Sequence, residues 1–272
     1  MENNIESKKV NGENDSEGID EIMFEELGKF ERTKTEQFKE TTEILNNFSK
    51  KVIEKFSSED QNKIYDALML MYTMHIYQED RTDGTPYLIH TLGVAKKVLE
   101  MSTNPDKDLV ISALLHDSVE DQSDKMSSLS KDKDIGNETE TSLKVLEEIY
   151  GKKVSETISQ LSNPDFNSIL EKEGVTKDDP NYQKEKNKLY AEHVKEAIED
   201  PDVLTVKLAD FTQNALILSS WKPKNENEKL KRDKLKTKYL PVMKIFIDRL
   251  NKDKLFPEER KKIEEEMELL TN

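Results

Sequence analysis

The sequence predicts an all-α protein, and three observations carry that prediction. Over most of its 272 residues, apolar side chains recur at i, i+3, i+4 and i+7, the period of a helix face, rather than alternating as in a strand. The β-branched residues are scattered among helix formers, and the Asp83-Gly84 pair leads into Thr85-Pro86 instead of joining two alternating apolar runs. Serine, proline and glycine stand where apolar stripes begin or stop. No fixed-period repeat is evident, so the expected architecture is many antiparallel helices on short loops.

Residues 1–20 are rich in Asn, Glu, Ser and Gly. They are expected to form a disordered tail, because so few apolar groups cannot offset the entropy of ordering. Residues 21–56 read as an N-terminal helical extension, with Phe24, Leu27, Phe38, Leu45, Phe48, Val52 and Phe56 at helical spacing. Ser58 stands three before Gln61, a capping-box pattern, ahead of the stripe Ile64, Ala67, Leu68, Met71 and Met74. Residues 79–85 (EDRTDGT) read as a loop closed by the breakers Gly84 and Pro86.

The next helix carries Val94, Ala95, Val98 and Leu99, and Pro105 marks the start of another with Leu109, Val110, Ala113 and Leu114 inward. Residues 122–140 are polar and are expected to be an exposed loop. Leu143, Leu146, Ile149 and Tyr150 resume the helical period, Gly151 breaks it, and Val154, Ile158 and Leu161 continue it. Residues 163–180 read as a second polar connection, followed by a charged helix over 181–199. Pro201 opens a more apolar helix through Val203, Val206, Leu208, Ala209, Leu216 and Leu218, and two last helices are expected near 228–250 and 257–270.

Composition removes several functions. Acidic residues number 57 against 42 basic, a net charge of −15, which suits a nucleic-acid backbone poorly. No apolar run approaches the ~18 residues of a membrane helix, and the first residues lack the apolar core of a signal peptide. Cysteine is absent, which excludes disulfides, thiolate catalysis and cysteine metal sites and fits a reducing, cytoplasmic setting.

The chemistry concentrates around two of the four histidines. His116 ends the apolar run Ala113-Leu114-Leu115 and is followed by Asp117, with Glu120 and Asp121 three and four residues further on, one face of a helix. Carboxylates crowded against a core repel one another and lose hydration. A divalent cation offsets both costs, and imidazole with carboxylate is a good ligand set for Mn, Fe or Zn. His90 also emerges from an apolar stretch, Tyr87-Leu88-Ile89, and the buried run 203–209 leads directly to Asp210, with Asn214 one turn later. Three separate helices thus each set a potential ligand against an apolar stripe. Read singly, a His-Asp pair is more often a capped helix end or a solvated face; the three together favour the metal.

At these residues the sequence becomes specific. Arg81 to His90 (RTDGTPYLIH), ALLHDSVED at 113–121 and VKLADFTQN at 206–214 together resemble the hydrolase domain of RelA/SpoT-type alarmone enzymes, which are HD-domain metal-dependent phosphohydrolases. The pair Tyr150-Gly151 is similar to the family's Phe-Gly helix junction. The resemblance covers about 60–221 and implies an HD-type helical bundle at 57–221, with 222–272 as C-terminal helices packed on it. By residue it implies His90, His116, Asp117 and Asp210 as ligands of a metal, usually Mn2+, and Glu120 and Asp121 as the pair that positions and activates water. It also implies Arg81 and Asn214 as nucleotide contacts, and the removal of 3′-pyrophosphate from guanosine tetra- and pentaphosphate. Lys207, one turn before Asp210, is a candidate either to contact a substrate phosphate or to pair with a carboxylate. The expected partner is a small nucleotide, with neither nucleic acid nor membrane.

This sequence also departs from the pattern. Thr91 stands where Pro is usual and Gln122 where Thr is usual. The run that normally reads Lys-Leu-Ala-Asp-Arg-Leu-His-Asn has Phe211, Thr212 and Gln213 after its Asp, and Ile217 replaces a typical Thr. The altered residues are expected in the substrate wall, which motivates a second reading, hydrolysis of another nucleotide or phosphomonoester. A third reading is a nucleotide-binding module without catalysis, which the Glu120-Asp121 pair disfavours. His75 is expected to support the site structurally, His193 to be solvated, and Trp221 to be core.

Overall fold

The computed structural model describes residues 36–81, 85–131 and 136–272, in which thirteen helices and no strand occur. The expected tail, the helix around Phe24 and Leu27, and the middle of the 79–85 loop lie outside the described residues. The chain divides into two compact units, Met1–Glu43 and Ile44–Asn272. Every site residue belongs to the second.

The helices are α1 (Glu36–Lys55), α2 (Ser58–His75), α3 (Tyr87–Met101), α4 (Lys107–Leu115), α5 (Ser118–Asp121), α6 (Ser123–Ser128) and α7 (Glu138–Tyr150). They continue with α8 (Lys152–Leu161), α9 (Phe166–Lys172), α10 (Tyr182–Ala197), α11 (Pro201–Ala215), α12 (Glu226–Asp253) and α13 (Pro257–Thr271). The all-α class is therefore the observed one.

Local chemistry explains most boundaries. Ser57, not Ser58, caps α2: its hydroxyl accepts the Asp60 N–H, while Gln61 turns away to donate to the Phe56 carbonyl at 2.9 Å. Asp106 caps α4 by accepting the Leu109 N–H at 2.8 Å, and Asp200 caps α11 ahead of Pro201 at its first turn. Gly151 joins α7 to α8 at φ 92°, a left-handed value that a side chain would strain. Two stretches read as polar loops contain helices: α6 buries Met126, and α9 buries Phe166 and Leu170. Each is a single short turn or two anchored by one or two apolar residues, too few to register as a stripe.

The site is positioned by α4, in which every residue from Leu109 to Leu115 is buried. It packs against α2, α3, α8 and α11. At about 1.5–3 kcal/mol for each fully buried Leu, Val or Ile, the burial of these residues holds α4 firmly beside the chemistry. α3 and α11 also approach closely, since a Cβ on Gly93 would stand 3.0 Å from the Gln213 side chain. A second cluster joins α10 and α11 to α12 and α13 through Tyr190, Phe211, Tyr239, Phe246 and Ile263, so the last two helices share a core with the helix that carries Asp210.

Candidate active site

Three elements deliver the candidate ligands to one place. Pro86 precedes α3, so His90 lies in its first turn. α4 ends at Leu115, and His116 and Asp117 occupy the break before the single turn of α5; a continuous helix through them is not what forms. Asp210 and Asn214 lie one turn apart on α11.

His90, His116 and Asp210 each offer a donor atom within 4.8 Å of the others'. His90 Nε2 stands 3.3 Å from Asp210 Oδ1 and 3.5 Å from Asp117 Oδ2, and His116 Nε2 stands 3.1 Å from Asp117 Oδ2. Both imidazoles are buried and the two carboxylates nearly so.

The donor set fits a divalent transition ion. His116 Nδ1 hydrogen-bonds the Ala113 carbonyl at 2.9 Å, which leaves Nε2 as the lone-pair nitrogen facing the cluster. That buried Nε2 makes no well-directed hydrogen bond, its near neighbour being the Asp117 carboxylate at 3.1 Å, and an ion between imidazole and carboxylate would satisfy both.

The charges respond to one another. Burial opposes a positive His116, but Asp117 and Asp210 overcome it and hold its pKa up to about 9. His90 is raised for the same reasons. Burial would raise Asp117 and Asp210, yet the two imidazoles keep both below the ordinary carboxylate range. A divalent ion would take the place of those imidazole protons.

Glu120 has a different environment. Its side chain is exposed, yet the packed groups around the carboxylate and the charge of Asp117 raise its pKa, and Asn163 and Lys207 pull it back. Asn163 clamps it: the backbone N–H donates to Oε2 at 3.1 Å, and Nδ2 lies 3.0 and 2.9 Å from the two oxygens. Asp121 accepts from Gln78 Nε2 at 3.0 Å. Gln78 is in turn held by His75 and by Gln122, the residue that departs from the family pattern. His75 is buried and reaches Ser118, so its role is support for this side of the site.

Arg81 and Asn214 form a linked pair. Arg81 Nη2 donates to Asn214 Oδ1, and Asn214 Nδ2 donates to Asp210 Oδ1 at 2.6 Å. Both line a cavity of about 690 Å³ together with Tyr87, Ile217, Trp221 and Tyr239. Lys207 is buried, and its ammonium donates to the Leu161 carbonyl at 2.9 Å.

Several expectations need correction. Phe211 is core, not substrate wall: it is 2% exposed and its ring packs on Tyr239 and Phe246 at 5.5 and 4.8 Å. Of the altered residues only Ile217 faces the cavity, while Gln213 covers Gly93. Trp221 is partly core and partly cavity wall. His193 is half-buried rather than solvated, edge-on to Phe166 at 6.1 Å, with a buried and unpartnered Nε2.

Sequence reasoning missed Tyr87 and Asn163. The Tyr87 hydroxyl donates to Asp117 Oδ2 at 2.6 Å, and its ring stacks on His75 at 5.2 Å and meets His90 edge-on. Its place three residues before His90 on α3 was the available signal. Asn163 had none, being 43 residues from Glu120.

Comparison with known proteins sets this geometry in context. A family profile described as HD domain matches residues 67–238. A guanosine-3′,5′-bis(diphosphate) 3′-pyrophosphohydrolase of Aquifex aeolicus is 29% identical over 153 residues, 56% of this chain and 17% of that protein. The bifunctional (p)ppGpp synthase/hydrolase SpoT of Escherichia coli is 27% identical over 227 residues, 79% of this chain and 27% of that protein. The chain thus spans 27% or less of these curated relatives. A solved structure described as a metazoan ortholog of SpoT that hydrolyzes ppGpp superposes with a TM-score of 0.52 at 18% identity, covering 76% of this chain and 94% of that one. No helix of the described residues is long and apolar enough to cross a membrane.

Proposed function

The chain belongs to the HD-domain family, and we propose that it is a divalent-metal-dependent phosphohydrolase that releases 3′-pyrophosphate from guanosine tetra- and pentaphosphate. The observation that carries this reading is the convergence of His90, His116 and Asp210 donor atoms within 4.8 Å of one another, with Asp117 against both imidazoles. The activities of the relatives support the substrate.

In this reading His90, His116, Asp117 and Asp210 hold the ion, Mn2+ in the first instance. A bound ion of this kind lowers the pKa of coordinated water and polarises a phosphoryl oxygen. The chain's own groups do the rest. Glu120, fixed by Asn163 and kept less acidic by the groups packed around it, orients water and takes its proton. Asp121, fixed through Gln78 and His75, keeps a second acceptor beside it. Arg81 and Asn214 line the cavity for the nucleotide, and the charge of buried Lys207 acts on Glu120. The cysteine-free, net acidic sequence suits a cytoplasmic enzyme of the stringent response that does not engage nucleic acid.

The test is direct. Purified protein with Mn2+ is expected to release pyrophosphate from guanosine tetraphosphate, and Asp117→Ala to abolish release. Unchanged turnover in that variant defeats the mechanism. Ile217 on the cavity wall favours one second reading, another nucleotide substrate; side-by-side rates over a nucleotide panel distinguish it, the alarmone being the fastest under the first reading.

A further inference from the structure

The last helix carries two buried glutamates. Glu259 lies in the first turn of α13 and Glu266 follows two turns later, each 6% exposed. Glu259 accepts from Lys97 Nζ of α3 at 2.6 Å, an ion pair. Glu266 is occupied differently. Its Oε1 accepts the Ser219 backbone N–H at 2.7 Å, and its Oε2 accepts the Ser219 hydroxyl at 2.6 Å. A carboxylate out of water is costly unless its acceptors are used, and here both oxygens are used on one residue.

Ser219 stands where the chain needs such a hold. α11 ends at Ala215 and α12 begins at Glu226. Between them the backbone turns on local bonds: Leu218 N–H to the Ala215 carbonyl at 3.3 Å, and Trp221 N–H to the Ile217 carbonyl at 3.0 Å. The Ser219 N–H reaches across to α13 instead. This connection walls the cavity, since Ile217, Leu218, Ser220 and Trp221 all line it together with Tyr87 and Asn214. Tyr87 and Asn214 in turn join the cavity to the candidate ligands, by donating to Asp117 and Asp210. The wall offers an indole and two aliphatic side chains, surfaces suited to a planar base rather than to phosphate. Glu266 itself does not line the cavity, so its effect on a bound molecule passes through Ser219.

We propose that Glu266 is a positioning residue: by holding Ser219 at both its N–H and its hydroxyl, it sets the Ile217–Trp221 wall that receives the base of the nucleotide. The inference rests on the proposed hydrolysis for the identity of the ligand, while the hold on the wall stands without it. It gives α13 a part in substrate affinity beyond its contribution to the core.

Glu266→Ala removes both acceptors and leaves every side chain of the cavity in place. If the held wall falls to about a tenth of the population, apparent affinity falls with it, so KM for guanosine tetraphosphate at constant excess Mn2+ should rise about tenfold. The change in kcat should be much smaller, and Mn2+ affinity should be unchanged. Glu266→Gln keeps an acceptor oxygen and should recover part of the loss. Trp221 is the single tryptophan of the chain, so its fluorescence reports the wall directly. In Glu266→Ala its emission should move to the red and be quenched more readily by acrylamide. Ile263→Val is the control, a fully buried core position on the same helix; it should lower the urea midpoint and leave KM and emission where they are. Ser219→Ala removes the hydroxyl contact alone, and a smaller rise in KM there serves if Glu266→Ala does not fold. Wild-type KM and emission in the folded variants overturn the proposal. So does an equal rise in KM in Ile263→Val, which makes Glu266 an ordinary contributor to stability. A red-shifted, more readily quenched Trp221 in a protein that hydrolyses no nucleotide keeps the hold and defeats the proposed function.

Discussion

Phe211→Arg restores the residue that the resembling family usually carries, and the structure predicts that it unfolds the protein. Phe211 is 2% exposed in the cluster that joins α11 to α12. Its removal forfeits the burial of one large aromatic, about 1.5–3 kcal/mol. It also forfeits two ring contacts, on Tyr239 at 5.5 Å and Phe246 at 4.8 Å, at about 0.5–1.5 kcal/mol each. Together these reach roughly 2.5–6 kcal/mol before any charge is considered. The guanidinium then sits in an apolar cluster, and an uncompensated buried ion costs several kcal/mol more. The sum rivals the ~5–15 kcal/mol that holds a typical domain together. Urea titration followed by circular dichroism is the assay. The variant should be largely unfolded without denaturant, or so weakened that its midpoint falls close to zero. If it instead folds within about 2 kcal/mol of the parent, a loss typical of ordinary substitutions, position 211 is not core and the reasoning fails. A folded variant with faster alarmone hydrolysis would return Phe211 to the substrate wall.

Tyr87→Phe keeps the stack on His75 and removes only the hydrogen bond to Asp117; cation affinity measured by calorimetry should fall about 10–100-fold, and an unchanged affinity makes Tyr87 a packing residue. Because its packed surroundings raise Glu120, hydrolysis should decline on the acid side at a higher pH than the ~4.3 of a free glutamate. Asn163→Ala deletes donors to the charged form and should move that limb further upward in a pH–rate profile; a limb that stays in place separates Glu120 from the chemistry. Burial, with Lys207, lowers the His193 pKa to about 4, so between pH ~6.5 and 4 the unfolded chain binds a proton that the folded chain refuses, and stability falls as pH drops through that window. Urea midpoints at pH 7 and pH 5 should therefore converge in His193→Asn, and an undiminished gap contradicts the assignment.

What was legible in the sequence follows from where its information is local. The helix class, the α4 stripe from Leu109 to Leu115 and the adjacency of His116 and Asp117 are properties of neighbouring residues, so a period or a pattern exposes them. Helices α6 and α9 were not visible, because each buries only one or two apolar residues and so carries no stripe of its own. The same division runs through the site. Its candidate ligands are residue types that are costly where they stand, and that cost shows in the sequence itself. Their supports are neutral or ordinary residues whose meaning lies in a partner far away: Asn163 for Glu120 across 43 residues, Tyr87 for Asp117 across 30.

Phe211 shows how this division can mislead. Its departure from the family pattern is visible at one position, and beside Asp210 it reads as a change in the substrate wall. The partners that decide the matter, Tyr239 and Phe246, lie on α12, in a segment whose sequence looks like a solvated charged helix. An arginine at 211 would need an anion or solvent to face, and this fold presents two aromatic rings there. The same helix sets the Lys238 ammonium 4.1 Å from the centroid of the Tyr190 ring. Cation and core therefore come from one face of α12, and exchanging residue 211 alone changes packing without recreating the family's wall.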